Sequence, residues 1–119
     1  MTTIVYLYSK CSTCQKAVKF LEQHKVVFKS VEIKTTAPSV DELKKMLKYQ
    51  GGDIKKLFNT SGMLYRELNL TQKLPAMSSE QALELLSQNG MLVKRPFLLG
   101  KDLGLVGFRE PQWQQALLA

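Results

Sequence analysis

The chain has 119 residues, 45% of them hydrophobic, and its 17 Lys and Arg residues outnumber 10 Asp and Glu, for a formal charge of +7. This length supports one hydrophobic core, so we expect a single domain over residues 1–119. No stretch approaches the roughly 20 apolar residues of a membrane-spanning helix, and the first residues lack a signal-peptide pattern. We therefore expect a cytoplasmic protein without a membrane partner. The basic residues are scattered, with no basic and aromatic stripe that we can identify, so we expect no direct binding to nucleic acid.

Residues 4–8 form a β-branched and aromatic run that predicts a buried strand. Residues 26–33 are similarly rich in β-branched side chains and predict a second strand. Between them a helix capped by Ser12 or Thr13 is expected, because apolar residues recur there at helical spacing. Those residues are Cys14, Ala17, Val18 and Leu21. The order β-α-β favours a parallel pair of strands.

The middle of the chain is predicted to be helical. Ser39 with Glu42, and Ser78 with Gln81, have the spacing of a capping box, so each pair is expected to begin a helix. Gly51-Gly52 and Gly90 are expected to end these two helices. Shorter helical pieces are expected over residues 53–58 and after a turn at residues 59–62.

The C-terminal part predicts a hairpin followed by a helix. Residues 97–99 and 103–108 are the expected strands, and Pro111 suits the first turn of a helix over residues 110–118. The whole chain is thus an α/β protein in the order β-α-β, helical insert, β-β-α, with a mixed sheet of about four strands.

Cys11 and Cys14 have the C-x-x-C spacing that, beside a β-α-β pattern, is typical of a thioredoxin-like redox motif. Cys11 would lie at the cap of the first helix, where free N–H groups, the helix dipole, Lys10 and Lys16 favour its thiolate. We therefore predict Cys11 as the nucleophile. Cys14, one turn further on and on the apolar face, is predicted to be the resolving thiol.

Two other interpretations of the pair stay open. A zinc site would need about four ligands, and His24, at the far end of the same helix, is the only further thiol or imidazole, so no metal is expected. Inert core cysteines would suit Cys14 better than Cys11, which stands between Lys10 and Ser12.

Arg95-Pro96 is the second notable feature, because a proline directly before an extended run can begin a strand and an X-Pro bond tolerates the cis geometry. In a thioredoxin fold this proline should face the thiols. A guanidinium at Arg95 would favour anions near the thiolate, whereas Lys94 is equally well explained as an exposed charge.

Four stretches carry a resemblance, over nearly the whole chain, to the arsenate reductase (ArsC), Spx and MgsR-like family of thioredoxin-fold proteins. They are residues 8–17, residues 57–62 with 65–68, residues 90–96 and residues 106–108. The resemblance implies a catalytic cysteine at Cys11 and an oxyanion pocket formed by the thiol loop and several arginines. The residues expected to bind substrate are Lys10, Ser12, Thr13, Asn59, Thr60, Arg95 and Pro96.

The arginine pattern differs from that of arsenate-reducing members. Arg95 matches one arginine, Asn59 stands where a second would be, and the segment around Gly107 is expected to lack the third. Since arsenate needs fixed cationic forks, we expect weak arsenate reduction.

The resemblance leaves two functions open. The first is an arsenate-reductase-like thiol/disulfide oxidoreductase without a bound cofactor, whose partner is a small thiol or redox protein and whose reductant is glutathione, glutaredoxin or thioredoxin. The second is an Spx-like redox-sensing regulator that binds RNA polymerase without turnover. Turnover with a thiol reductant would separate them.

Overall fold

A mixed four-stranded sheet forms the centre of the protein, of which the computed structural model describes residues 2–118. Strand β1 (Ile4–Leu7) pairs in parallel with β2 (Lys29–Glu32) and antiparallel with β3 (Phe97–Gly100). Strand β3 also pairs antiparallel with β4 (Leu103–Val106), so the order across the sheet is β2-β1-β3-β4. The predicted mixed α/β sheet is confirmed.

Six α-helices surround this sheet within residues 2–118. They are α1 (Ser12–Gln23), α2 (Val40–Tyr49), α3 (Met63–Glu67), α4 (Leu70–Lys73), α5 (Ser79–Gln88) and α6 (Glu110–Leu118), and 3-10 helices span Ile54–Leu57, Leu74–Ala76 and Gly90–Leu92. Both predicted capping boxes are present at the starts of α2 and α5. None of the helices in the described part of the chain is long and apolar enough to cross a bilayer.

The two faces of the sheet are buried by different elements, because neighbouring strand residues point to opposite sides. Val5 and Leu98 pack with α1 and α6 around Trp113. Their neighbours Tyr6 and Phe97 pack with the helical insert. The strands β1 and β3 therefore lie between two hydrophobic layers and hold both ends of the chain together.

The second strand is shorter than the predicted residues 26–33. Helix α1 ends in a tight turn in which Lys25 has a positive φ of 56° and Val26 N–H donates to the Leu21 carbonyl at 2.9 Å. Val27 is 86% exposed, and pairing with β1 begins only at Lys29. Residues 26–28 thus connect the helix to the sheet edge, although their composition favours a strand.

Two other predicted element ends, one near Gly107 and one at Gly90, also need correction. The last strand ends at Val106 rather than at residue 108, because Gly107 adopts a positive φ of 70° and turns the chain. Gly90 does not end α5, whose last residue is Gln88, but begins a 3-10 helix. A side chain at Gly90 would overlap the Ile33 carbonyl oxygen, so close backbone packing explains the glycine.

Candidate active site

The candidate site lies at the edge of the sheet where β1 and β4 end and β3 begins. The antiparallel register places Tyr6 opposite Phe97, and Phe97 opposite Val106. Three segments consequently meet at this edge: the one that follows β1, the one that precedes β3 and the one that follows β4. They carry Cys11, Arg95 and Arg109 respectively.

Cys11, and not Ser12 or Thr13, is the N-cap residue of α1, and it is half-buried. Its N–H donates to the Tyr8 carbonyl at 3.0 Å, and its Sγ accepts the Cys14 N–H at 3.4 Å. Burial alone would raise the pKa of Cys11. Hydrogen bonds from the thiol and N–H of Cys14, the positive charge of Arg95 and the Thr13 N–H outweigh burial, so the pKa is lowered from its ordinary value of 9.0.

Cys14 lies one turn into α1 and is only 1% exposed, beside the fully buried Ala17 and Leu21. Its predicted burial is confirmed. Burial, with a smaller contribution from the hydrogen bond and charge of Cys11, raises the pKa of Cys14 to about 12. Both thiols are free, so the site pairs an activated outer sulfur with a protonated inner one.

Arg95 is held in place from two sides. One of its terminal nitrogens donates to the Met91 carbonyl at 3.3 Å, and its guanidinium carbon lies 5.2 Å from the centre of the Tyr8 ring. Its Nε is buried and has no hydrogen-bond partner within the described residues 2–118. The next peptide bond, Arg95–Pro96, is cis, and the Pro96 carbonyl accepts the Gly107 N–H at 2.9 Å.

An open pocket of about 630 Å³ lies above Cys11. Among the described residues 2–118, five cationic side chains and a single carboxylate, that of Asp53, line it. The cationic residues are Lys55, Lys56, Lys94, Arg95 and Arg109. The pocket is therefore suited to an anionic molecule that presents a reactive atom to the Cys11 sulfur.

The structure brings five of the residues predicted for the site into this pocket: Cys11, Thr13, Asn59, Thr60 and Arg95. Lys10, before α1, and Ser12, the first residue of α1, are exposed outside the pocket, and Pro96 is buried directly before β3. The cation among the main causes of the lowered Cys11 pKa is Arg95, whereas the sequence predicts Lys10 and Lys16 for that role. The substrate-binding roles of all these residues stay predictions.

Three cationic residues of the pocket escaped sequence reasoning: Lys55, Lys56 and Arg109. The segment around Gly107 is expected to lack the third arginine of the arsenate-reducing pattern, and the structure places Arg109, two residues after Gly107, in the lining of the pocket. The predicted hairpin could have revealed Arg109, because it places the end of β4 beside the start of β3. Nothing local in the sequence indicates that the 3-10 helix Ile54–Leu57 would line the same pocket as Cys11.

A mixed sheet with a C-x-x-C pair at the start of its first helix defines a thioredoxin-like α/β protein. The ArsC family model matches residues 6–116, and the chain belongs to the ArsC family. The chain is 47% identical to YusI of Bacillus subtilis (strain 168) over 97% of its length and 98% of that protein. It is 29% identical to the global transcriptional regulator Spx of Streptococcus mutans over 91% of this chain and 77% of that one.

Solved structures show the same likeness. A crystal structure of an ArsC family related protein from Bacteroides fragilis superposes with a TM-score of 0.89 at 43% identity, covering 97% of this chain and 98% of that one. Arsenate reductase from Vibrio cholerae superposes with a TM-score of 0.78, covering 99% of this chain and 97% of that one. At 23% identity, the second match shows a shared fold only.

Proposed function

We propose that the protein is a thiol/disulfide oxidoreductase that reduces a small disulfide or a mixed disulfide. The observation that carries this proposal is the difference between the two thiols. The half-exposed Cys11 has a lowered pKa and opens to a cationic pocket, while Cys14 behind it is buried and protonated. This is the asymmetry that a nucleophilic and a resolving thiol require.

The reaction has two exchange steps. The Cys11 thiolate attacks one sulfur of the substrate disulfide, so that a Cys11–substrate disulfide forms and the first substrate thiol leaves. The Cys14 sulfur then attacks Cys11, and its proton passes to the second departing thiolate. The substrate disulfide gains two electrons, and the protein is left with a Cys11–Cys14 disulfide.

A two-electron thiol reductant must then regenerate the enzyme. Glutathione, glutaredoxin or thioredoxin would supply these electrons, and each is abundant in the reducing cytoplasm where we place the protein. No bound cofactor enters this cycle. The single carboxylate among five cations in the pocket supports an anionic substrate or reductant.

Steady-state reduction of hydroxyethyl disulfide, coupled to glutathione and glutathione reductase, tests the proposal. We expect turnover by the wild-type protein, none by Cys11→Ser, and a trapped mixed disulfide on Cys11 in Cys14→Ser, which mass spectrometry would detect. Turnover that survives Cys11→Ser would contradict the assignment of the nucleophile. Absence of turnover with every thiol reductant would contradict the enzymatic function.

Arsenate reduction is expected to be weaker than disulfide exchange. Arg95 and Arg109 both line the pocket, but Asn59 supplies a neutral amide where a third guanidinium would bind the oxyanion. One lost charged hydrogen bond corresponds to roughly 1.5–3 kcal/mol, or about ten- to a hundredfold in affinity. An arsenate assay with glutathione and glutaredoxin should therefore show a clear gain in Asn59→Arg, and efficient turnover by the wild type would refute this argument.

The 29% identity with an Spx regulator favours a second candidate function. In this alternative the same thiol pair would act as a redox switch, and the partner would be RNA polymerase. A pull-down with reduced and with oxidised protein, analysed for polymerase subunits, separates the two candidates. Redox-dependent capture of polymerase without turnover of any disulfide would favour the regulator.

A further inference from the structure

The cations of the pocket exceed what the thiol pair needs. Arg95 is the cation among the main causes of the lowered pKa of Cys11. Four more cationic side chains line the same space and give it a positive potential. The one carboxylate, Asp53, already accepts the Lys55 N–H at 3.2 Å as the cap of a 3-10 helix. An anionic ligand is therefore the natural partner of these four cations.

The backbone that carries Lys55 and Lys56 is fixed by neighbouring contacts, although the two side chains are exposed. They lie in the 3-10 helix Ile54–Leu57, whose last residue is fully buried. The Leu57 carbonyl accepts the Lys94 N–H at 2.8 Å, and Phe58 pairs with Val93 in an isolated bridge. These contacts fix the lysine pair relative to the segment that carries Lys94 and Arg95.

Arg109 lines the pocket from the short segment between β4 and α6. Its carbonyl accepts the Trp113 N–H at 3.0 Å, which ties it to the first turn of α6. Lys94 lies between the two walls, since a Cβ added at Gly107 would be 3.2 Å from the Lys94 Cε. Cationic groups thus come from three separate chain segments around one cavity of about 630 Å³, the size of a small-molecule site.

We propose that the disulfide substrate contains a thiol with two or more anionic groups, carboxylates or phosphates, and that Lys55, Lys56 and Arg109 bind the anionic group farther from the sulfur. Arg95 stays with the reacting sulfur. This inference rests on the proposed oxidoreductase function and assigns its substrate class. The exchange steps are unchanged, because the anionic groups take no part in bond making.

Four disulfides of graded charge test the inference. They are cystamine, hydroxyethyl disulfide, glutathione disulfide and coenzyme A disulfide. For each, kcat/KM is obtained from the rate at which the Cys11–Cys14 disulfide forms in single-turnover reactions at several disulfide concentrations. No reductant is present in these reactions, so none biases the result. We expect cationic cystamine to be the poorest substrate, the neutral disulfide intermediate, and the anionic pair the best. Glutathione disulfide and coenzyme A disulfide then distinguish carboxylates from phosphates.

A double variant identifies the residues responsible. In Lys55→Ala/Lys56→Ala, we expect the ratio of kcat/KM for the better anionic disulfide over the neutral one to fall by roughly five- to tenfold at low salt. Lys44→Ala/Lys45→Ala is the matched control, because these two lysines are exposed on α2 outside the pocket and removing them changes the net charge equally. Arg109→Gln should lower the ratio as well. High salt should abolish the preference in the wild type.

The outcomes separate this inference from the function on which it rests. If no disulfide oxidises the thiol pair, the proposed function fails. If neutral and anionic disulfides react equally well, or if both lysine double variants lose the preference to the same degree, the function stands and the assigned substrate class is wrong. A preference lost only when the pocket residues are changed supports the inference.

Discussion

Brief alkylation of the reduced protein should modify Cys11 far ahead of Cys14. At pH 7.5 a thiol with a pKa of about 12 is a thiolate in only about one molecule in 30,000, whereas a pKa below 9.0 leaves at least about 3% of Cys11 as thiolate. The ratio of thiolate populations is therefore at least about a thousand. The greater intrinsic reactivity of the more basic sulfur returns a factor of about 20, so the expected preference is at least about fiftyfold.

The assay is limited treatment with iodoacetamide at pH 7.5, followed by proteolysis and mass spectrometry of the two modified peptides. Burial of Cys14 to 1% exposure should increase the preference further. Arg95→Met serves as a perturbation of the same quantity, because loss of its charge should raise the pKa of Cys11 and slow labelling. Equal labelling of the two cysteines, or earlier labelling of Cys14, would refute the assignment of the outer thiol as the nucleophile.

Mild peroxide should convert Cys11 and Cys14 into an intramolecular disulfide, seen as a loss of two hydrogens by mass spectrometry, whereas dimers alone would argue against a resolving Cys14. The folded-state pKa values of Cys14 and Tyr6 lie above their ordinary values of 9.0 and 10.0, in both cases chiefly because of burial. As the pH rises, the unfolded chain therefore loses these protons first. The free energy of unfolding, measured with urea, should fall above about pH 9 for Cys14 and above about pH 10 for Tyr6, by up to about 1.4 kcal/mol per pH unit for each group. An unfolding free energy that does not change with pH in this range would contradict this. Gly90→Ala should lower the free energy of unfolding by roughly 2–4 kcal/mol, because its Cβ would overlap the Ile33 carbonyl, and unchanged thermal unfolding would show that the backbone gives way easily.

The features that the sequence predicts correctly are those set by near neighbours. The two capping boxes at Ser39 and Ser78 need only residues three positions away, and both formed. The cap position of Cys11 and the burial of Cys14 follow in the same way from the start and the apolar face of one helix. Strand ends depend instead on whether the neighbouring strand provides backbone hydrogen-bond partners. Residues 26–28 have strand-forming side chains, but the pairing of β2 with β1 begins only at Lys29.

The wider site depends on contacts between distant segments. Lys55 reaches the pocket only because Leu57 and Phe58 pack against residues 92–94. Helical periodicity in the sequence does not predict that contact. Asn59 and Arg95 could be placed by resemblance, since they stand in recognisable stretches. Lys10 was placed near the thiolate because it is adjacent in sequence, yet its side chain is exposed outside the pocket. Proximity along the chain is a poor guide to electrostatics around a helix cap.

The contact between Trp113 and Gly107 provides the protein with an internal optical probe. Trp113 is the only tryptophan in the chain and is fully buried, and its indole N–H donates to the Gly107 carbonyl at 3.0 Å. Gly107 itself lines the pocket. A ligand that displaces this carbonyl would change the electric field at the indole ring, and the wavelength of maximum Trp113 fluorescence should shift. Rapid-mixing fluorescence should consequently time the arrival of substrate in the pocket of the unlabelled protein.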